Sequence, residues 1–491
     1  MEGKRFPIEA KLLMTKRPSN TLRGRLLSLI LGWIFLALQI VQASDKPHLI
    51  LVMADDQGWG QMGFRNHPHL KGRMPNLDAM AKAGIRFDRF YAAAPVCTPT
   101  RASVLTGRTP QRTGAAGLHQ RLCLQEKTLS QALKEAGYAT AHFGKWHLNG
   151  VKGPGMPVLK DDPNHPGHYG FDFWLSMTNF FDRDPILSRQ GKFEFTEGES
   201  SELMVREALK FIEQNKTRPT FSVVWFGSPH FPFKCSAKDR EGFPEGKPGD
   251  HLGEIVAIDR SIGMLRQGLR DLGIEKETLV WYTSDNGGLS TDPDSTGHLR
   301  GFKGSLHEGG TRVPAIIEWP GKIKPLVTNF PASTMDIMPT LVDLLGLPRD
   351  AMLPVVDGES ISALLEGKQP VRSHPIPFLS KGVALIDGDF KLVRIGRGKG
   401  AKWALYDLSK DPGEKKDLSK KDPERFQALI SQAEKLMASA QASAEGKDYP
   451  EGRIIQPQRG TPWMEMEDYQ KLYPTFQKLN PNWNPPKQDG N

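Results

Sequence analysis

Cysteine is scarce in this sequence, where only Cys97, Cys123 and Cys235 occur among 491 residues. Three cysteines are too few for a disulfide scaffold, so the fold must depend on a hydrophobic core. If Cys97 is committed to chemistry, Cys123 and Cys235 could pair, and the sequence leaves this open.

The sequence also lacks internal repeats and the composition of a disordered or multi-span membrane protein. Charged residues make up 25% of the chain and hydrophobic residues 38%, as in an ordinary globular protein. Because 491 residues exceed what one core normally supports, we expect a large domain and a smaller one.

The N-terminal 43 residues predict a secretory signal peptide. Basic residues precede an apolar run from Leu26 to Val41, and a small-residue cleavage site ends at Ala43. The alternative is an uncleaved membrane anchor, because the run approaches spanning length. Cleavage implies export to a periplasmic or extracellular location, or a lysosomal or secretory one in a eukaryote, without stable membrane association.

Positive charge is concentrated in this leader. Residues 1–43 hold seven Lys or Arg and two Asp or Glu, so their removal lowers the formal net charge from +9 to +4. Such a small charge gives no indication of nucleic-acid binding, and no nucleic-acid partner is expected.

Short apolar runs alternate with helical patterns over residues 44–374, the predicted catalytic domain. This order is typical of a mainly parallel sheet flanked by helices, an α/β fold. The predicted strands are Leu49–Ala54, Tyr138–Phe143, Phe221–Phe226, Leu279–Thr283 and Ala315–Trp319. The predicted helices are Leu77–Ala83, Leu129–Ala136, Glu202–Gln214, Ile255–Leu272 and Asp336–Leu345.

Residues 375–445 predict a small antiparallel sheet with one packing helix at Arg425–Ala438. The predicted strands there are Val383–Ile386, Phe390–Ile395 and Trp403–Tyr406. From Ser439 the chain is rich in Pro, Gly and charge, and residues 446–491 are predicted as a tail. That tail either lies over the main body, anchored by Trp463, Tyr469 and Trp483, or is disordered.

Polar residues follow four of the predicted strands. Because ligands bind beyond the carboxyl ends of the strands in open α/β sheets, we expect these residues to converge. They are Asp55, Asp56, Lys145, His147, His230, Asp285 and Asn286.

Four of these residues offer only oxygen ligands. Asp55, Asp56, Asp285 and Asn286 form a set that suits a hard cation, Ca²⁺ or alternatively Mg²⁺. The competing interpretation is that each pair caps a neighbouring helix or turn, as Asp and Asn often do. The joint arrangement favours the metal.

Cys97 is predicted to lie at a helix N-terminus, because Thr98 and Pro99 suit the start of a helix and Gly107 suits its end. The positive end of the helix dipole would favour an anionic oxygen or a bound anion there. Plain packing in the core is the alternative role for this cysteine.

Residues 97–107 resemble the signature of the sulfatase family, CxPxR followed by LTG. The signature is complete here as Cys97, Pro99, Arg101, Leu105, Thr106 and Gly107. Further similar segments follow in order: LVMADDQGWG, GKWHL, GSPHFP, TSDNG, GFKGSLHEGGTRVP and, near the C-terminus, YDLSKDPGEKKDL. The resemblance covers nearly all of the chain after the leader and implies an alkaline-phosphatase-like architecture.

The resemblance also implies a nucleophile that is made after translation. In the family a formylglycine-generating maturation enzyme oxidises the cysteine, here Cys97, to formylglycine. Its hydrate, bound to the cation together with Asp55, Asp56, Asp285 and Asn286, attacks sulfur and leaves a covalent sulfo-enzyme intermediate.

The remaining site roles are likewise implied by the family. His230 would protonate the leaving oxygen, and His147 would act as the base that releases sulfate. Lys145 and Lys303 would hold the sulfate oxygens, and Arg101 would steady the modified Cys97. Relatives often place one more polar sulfate contact near GFDFWLSMTNFFD, which here is Thr178, Asn179 or neither.

A sulfatase acting on a sulfated small molecule or saccharide is therefore expected. A phosphomonoester, phosphodiester or phosphonate hydrolase of the same superfamily is one alternative, because tetrahedral anions look alike to a cationic pocket. A non-catalytic binder of sulfated glycans is another.

Overall fold

The computed structural model describes residues 46–396, 400–456 and 459–484. The predicted signal peptide at residues 1–43 lies outside this part of the chain. In the part that is described, no helix combines the length and the apolar character needed to cross a membrane.

An 11-stranded mixed sheet occupies the centre of the fold. Eleven of the first twelve strands form it, and only β4 does not. In chain order they are β1 His48–Ala54, β2 Ile85–Tyr91, β3 Ala139–Lys145, β4 Val151–Lys152, β5 Phe173–Met177, β6 Ile186–Arg189, β7 Lys192–Phe195, β8 Thr220–Trp225, β9 Thr278–Ser284, β10 Arg312–Glu318, β11 Leu326–Thr328 and β12 Ala332–Ser333. Their spatial order is β11-β2-β10-β9-β1-β8-β3-β5-β6-β7, with β12 also paired to β2.

Four adjacent strands at the middle of this sheet, β9, β1, β8 and β3, run parallel to one another. Their carboxyl ends therefore lie at one edge of the sheet. Every residue of these strands is buried, as expected for parallel strands covered on both faces.

Helices cover both faces of the sheet. They are α1 Pro75–Ala83, α2 Cys97–Thr106, α3 Leu129–Glu135, α4 Ser200–Gln214, α5 Ala237–Arg240, α6 Lys247–Asp271, α7 Glu308–Thr311, α8 Ile337–Leu344 and α9 Ser362–Leu365. Successive side chains of β1 alternate between the two faces. Leu49 and Leu51 join the core with α2, α3 and α8, whereas Ile50 and Val52 join the core with α1, α4 and α6.

The predicted α/β class is confirmed, with corrections in detail. The fifth predicted strand exists as β10, but it pairs antiparallel with both β9 and β2. Strand β2 was not predicted, because its sequence IRFDRFY carries three charged residues. Helix α6 starts at Lys247 rather than at the predicted Ile255. The proline in the turn that begins at Lys247 suits a helix start.

A second, four-stranded antiparallel sheet follows, as predicted. Its strands are β13 Ile376–Phe378, β14 Ala384–Asp387, β15 Phe390–Ile395 and β16 Lys402–Asp407, and α10 Pro423–Ala444 packs on it. One face contributes Leu392 to a core with α10, and the other contributes Val393 to a core shared with Tyr91 of β2. Residues from Lys46 onward form one compact unit, and the domain limits at residues 374 and 445 stay predictions.

Helix α10 ends at Ala444 rather than Ala438, so Ser439 does not begin the tail. The sequence ASAQASA contains enough good helix formers to continue the helix. In the tail, Trp463 and Tyr469 are fully buried as predicted, and Trp483 packs beside them. The tail adds strand β17 Thr461–Pro462 and the short helices α11 Glu467–Gln470 and α12 Tyr473–Leu479.

Two buried arginines that follow α2 bind residues close to the C-terminus. Arg108 contacts Glu126 at 2.8 Å and also Asp448. Arg112 donates to Asp357 at 2.9 Å and to Ser443 of α10 at 2.7 Å. The helix that carries Cys97 is thus tied to residues more than 300 positions away.

All three cysteines have free thiols. A disulfide between Cys123 and Cys235, which the sequence left open, does not form. Cys123 lies buried near Tyr449 of the tail, whereas Cys235 lies against Gly253 of α6.

Gly144 is a position where backbone geometry excludes other residues. It lies in β3 with φ of +98°, and a Cβ atom there would be 1.9 Å from the carbonyl oxygen of Trp225. We expect Gly144→Ala to lower the free energy of unfolding by about 3 kcal/mol or more, measured by denaturant titration.

Gly137→Ala is the matched control, because Gly137 has φ of +91° and open space around it. This variant should lower the free energy of unfolding by only about 1 kcal/mol, the cost of the positive φ alone. Equal losses in the two variants would contradict the clash at Gly144.

Candidate active site

The structure brings every predicted site residue to one edge of the large sheet. Asp55 and Asp56 follow β1, Lys145 ends β3, and His230 lies beyond β8. Asp285 and Asn286 follow β9, and Lys303 lies on the loop between β9 and α7. The convergence follows directly from the parallel order β9-β1-β8-β3.

Three carboxylates at this edge face three cationic side chains. Lys145 Nζ donates to Asp55 at 2.6 Å, and Lys303 Nζ lies 2.7 Å from Asp56 Oδ1. Arg101 donates to Asp285 Oδ2 at 2.6 Å. Because Asp55, Asp285 and Arg101 are fully buried, each charge depends on its partner.

These neighbours shift the acidity of the carboxyl groups in opposite directions. Burial raises the pKa of Asp285 to about 6, and repulsion from Asp55 adds to that effect. The pKa of Asp56 falls well below its usual range, because the attraction of Lys303, His230 and Lys145 outweighs the effect of burial. Asp56 is therefore ionised at neutral pH.

Cys97 is the first residue of α2, as predicted, and Gly107 ends that helix with φ of +69°. Val96, the N-cap residue that precedes the helix, has no side chain that could cap the backbone N–H groups. The positive end of the helix is therefore left for a group at Cys97. Burial raises the pKa of the Cys97 thiol to about 12, although Lys145 and Lys303 oppose the shift. As encoded, Cys97 is a neutral thiol and a poor nucleophile.

Two histidines border Cys97 in the same cavity. His230 Nε2 lies 3.6 Å from Asp56 Oδ2, and its ring stacks on Phe180 at a centroid distance of 4.4 Å. Burial, together with the charges of Lys303 and Lys145, lowers the pKa of His230 to about 3. Burial also lowers the pKa of His147, which adopts a positive φ of 56°.

His119 is a site residue that the sequence analysis missed. Its Nδ1 lies 2.9 Å from Nε2 of His147, and its backbone N–H donates to Thr98 in the first turn of α2. His119 lies in a loop without a motif, so no sequence signal pointed to it. Burial lowers the pKa of His119 to about 4.

Thr178 and Asn179, the two candidates for a further polar contact to the sulfate, lie in different surroundings. Thr178 is fully buried, and its hydroxyl accepts a hydrogen bond from the backbone N–H of Met156. Asn179 lines the cavity, donates to Gly153 O and has a buried Oδ1 without a hydrogen bond. Of the two, only Asn179 is placed to contact a ligand.

The carboxylate and amide oxygens of the predicted ligand set could hold a hard divalent cation, and Asp55 and Asp56 also belong to a cluster with Cys97 and His230. Ligand atoms of Asp55, Asp56, Cys97 and His230 lie within 4.8 Å of one another. Asp55 Oδ1 and Asn286 Oδ1 are buried oxygens without a hydrogen bond, a costly state that a cation would relieve. Asp285 Oδ1 accepts from the Asp56 N–H, which places it beside the same group.

A cavity of about 750 Å³ opens over this cluster. Cys97, His147, His230 and Lys303 lie in its lining, so the side chain of Cys97 faces the cavity. Its outer wall includes Trp483 from the C-terminal tail, which the sequence analysis placed only as an anchor. The volume suits a ligand considerably larger than a sulfate ion.

The fold is of the alkaline-phosphatase-like type, and comparison with known proteins specifies the family. The profile described as "Sulfatase" matches residues 47–347, and that described as "N-sulphoglucosamine sulphohydrolase, C-terminal" matches residues 301–443. Human arylsulfatase A is 33% identical over 453 residues, covering 78% of this chain and 86% of that protein. Mouse N-acetylgalactosamine-6-sulfatase is 32% identical, covering 75% and 74%.

Solved structures agree with these sequence relatives. Ps i-CgsB in complex with k-i-k-neocarrahexaose superposes with a TM-score of 0.72 at 25% identity, covering 88% of this chain and 99% of that one. The phosphonate monoester hydrolase of Agrobacterium radiobacter shares the fold, with a TM-score of 0.56 at 21% identity and coverage of 81% and 96%.

The chain belongs to the sulfatase family. It is accordingly a sulfuric ester hydrolase, related to arylsulfatases, and the resemblance seen in its motifs is confirmed.

The cation site can be tested without measuring catalysis. We expect chelator-treated protein to gain thermal stability on addition of CaCl₂ or MgCl₂, by about 2.7 kcal/mol at a hundred times the dissociation constant. Asp55→Asn should weaken this binding at least about tenfold, because it removes a ligand charge. The measurement is melting temperature against cation concentration, supported by calorimetric titration.

Asp387→Asn serves as the control, because Asp387 is exposed on β14. It should respond to the cation as the wild type does. A wild-type melting temperature that does not change on addition of either cation would contradict the assignment of this site.

Proposed function

We propose that this sulfatase hydrolyses a sulfate ester of a sulfated saccharide, with a divalent cation as cofactor and a nucleophile derived from Cys97. The proposal rests on one observation above all. Cys97 begins a helix directly beside Asp55 and Asp56, with Lys145 and Lys303 close by. The candidate nucleophile thus lies beside candidate cation ligands and two lysines that could bind an anion.

Formylglycine, made from Cys97 by a maturation enzyme, would supply an oxygen nucleophile at this position. The neutral, buried thiol supports this assignment, because it offers little thiolate for attack. The uncapped N-terminus of α2 favours an oxygen that gains negative charge during reaction. Arg101 holds this region in place, since it bonds to Asp285 and to the carbonyl of Lys145.

Ca²⁺, or alternatively Mg²⁺, would be held by Asp55, Asp56, Asp285 and Asn286 beside residue 97. When bound, the cation supplies positive charge that favours an anionic oxygen. The three carboxylates are already balanced by three cationic side chains in the absence of the ion. The cation would therefore leave the cavity with net positive charge, which suits an anionic ester.

The two lysines would bind the sulfate group. Lys145 and Lys303 each contact a carboxylate through Nζ and lie near Cys97, so they can stabilise the oxygens of the transferring group. His230 lines the cavity and would give a proton to the leaving oxygen, once the bound anion offsets the charges of the lysines. His147, paired with His119, would accept the proton when sulfate is released.

The names of related proteins and the size of the cavity support a saccharide substrate. N-acetylgalactosamine-6-sulfatase is named for a sulfated sugar, and Ps i-CgsB was solved with neocarrahexaose. The cavity of about 750 Å³ leaves room for a sugar beyond the sulfate. The predicted signal peptide agrees with an exported enzyme that meets such substrates outside the cytoplasm.

The central test is sulfate release by protein matured with a formylglycine-generating enzyme. We expect hydrolysis of an aryl sulfate and of sulfated saccharides, with much slower hydrolysis of the matched aryl phosphate monoester and diester. Cys97→Ala should lower kcat/KM by on the order of a thousandfold or more with an unchanged melting temperature, because it removes the nucleophile.

Cys235→Ala is the matched control, since Cys235 lies outside the cavity lining, and it should retain activity. A preference for phosphate esters would replace the proposal by a phosphohydrolase. Tight binding of sulfated sugars by formylglycine-bearing protein, without any sulfate release, would replace it by a glycan-binding role.

The role of His230 predicts a dependence on the leaving group. A sugar alkoxide needs a proton far more than a nitrophenolate does, so His230→Ala should lower kcat/KM about a hundredfold or more for a saccharide sulfate. For 4-nitrophenyl sulfate the loss should be at least tenfold smaller. Equal losses on both substrates, measured under identical conditions, would show that His230 does not protonate the leaving oxygen.

A further inference from the structure

We propose that the C-terminal segment at residues 461–484 builds a second subsite, which stacks a sugar ring on Trp483 and binds another anionic group through Lys152 and Arg183. The inference rests on the proposed saccharide sulfatase activity and specifies its substrate. The substrate would be an acidic saccharide with at least one negative charge besides the sulfate that is removed.

The segment is attached to a loop that lines the catalytic cavity. Strand β17 pairs in parallel with β4, which places Pro462 opposite Lys152. Trp463 is buried against Gly153, where a Cβ atom would lie 2.7 Å from the indole nitrogen. Lys152 and Gly153 both line the cavity, so the C-terminal segment fixes part of its wall.

Trp483 extends from this segment to the rim of the cavity. Its ring contacts Tyr473 at 5.5 Å and Phe476 of α12 at 5.2 Å. Phe476 is fully buried, whereas Trp483 stays partly exposed. An aromatic ring that is held in place and partly exposed at a cavity rim is suited to stack on the apolar face of a sugar.

Two of the basic side chains that share the cavity lining with Trp483 form no ion pair with a described carboxylate. Lys152, Arg183 and Lys234 line the cavity. Lys234 pairs with Asp182 at 3.8 Å, whereas no carboxylate among the described residues lies within ion-pair distance of Lys152 or Arg183. The carboxylate of Asp184, which also lines the cavity, accepts the N–H of Gly198 at 2.7 Å and lies beyond ion-pair distance of both side chains.

These two cations, which form no ion pair with a described carboxylate, are separate from the groups assigned to the reacting sulfate. Lys145 and Lys303 are each bound to a carboxylate beside Cys97, whereas Lys152 and Arg183 are partly exposed in the outer lining. A second sulfate or a uronate carboxylate on the substrate would supply the missing partner. A small aryl sulfate would leave this subsite empty.

The test compares three substrates: 4-nitrophenyl sulfate, a monosulfated neutral disaccharide, and the same disaccharide with a second sulfate. With matured protein, Trp483→Ala should raise KM for both disaccharides about tenfold with kcat nearly unchanged, and Trp483→Phe should restore most of the affinity. The double variant Lys152→Ala/Arg183→Ala should remove the preference for the disulfated disaccharide. All variants should keep kcat/KM for 4-nitrophenyl sulfate within about threefold.

Lys478→Ala, an exposed charge of α12 outside the cavity lining, is the control for nonspecific loss of positive charge. Unchanged disaccharide KM values, or equal losses on all three substrates, would overturn the subsite. Wild-type protein that hydrolyses 4-nitrophenyl sulfate without preferring either disaccharide would also overturn it, while leaving sulfatase activity intact. Wild-type protein that releases no sulfate from any of the three would overturn the proposed function itself.

Discussion

The site depends on the mutual compensation of buried charges at the carboxyl edge of four parallel strands. Asp55 and Asp285 have no solvent contact, and each is matched by Lys145 or Arg101. Removing one partner leaves an uncompensated charge in a region that water does not reach, which is far more costly than the pair itself. The pair of Arg101 and Asp285 also holds the helix that begins at Cys97 against the end of β9.

Much of this arrangement could be predicted because it follows from local sequence and a general property of α/β sheets. The apolar runs that became β1, β3, β8 and β9 are short, buried and followed at once by polar residues. Parallel strands place those residues at one edge, so Asp56 and Asn286 form a hydrogen bond although 230 positions separate them. The glycine at position 107 marked the end of the Cys97 helix for the same local reason.

Features that depend on long-range packing could not be predicted in this way. Strand β2 has an alternating charged pattern, and its place between β10 and β11 is set by partners far along the chain. His119 has no motif around it and reaches His147 only through the fold of its loop. The position of Trp483 at the cavity depends on the pairing of β17 with β4, two strands of two residues each that carry no periodic signal.

The ties of Arg108 and Arg112 to Asp448 and Ser443 have a consequence for biosynthesis. These contacts span 340 and 331 positions, so the two guanidinium groups that follow the Cys97 helix gain these partners only when the end of the chain has been made. Contacts of such high sequence separation slow folding, because a large loop must close before they form. Part of the support of the Cys97 helix is therefore completed only after nearly the whole polypeptide has been made.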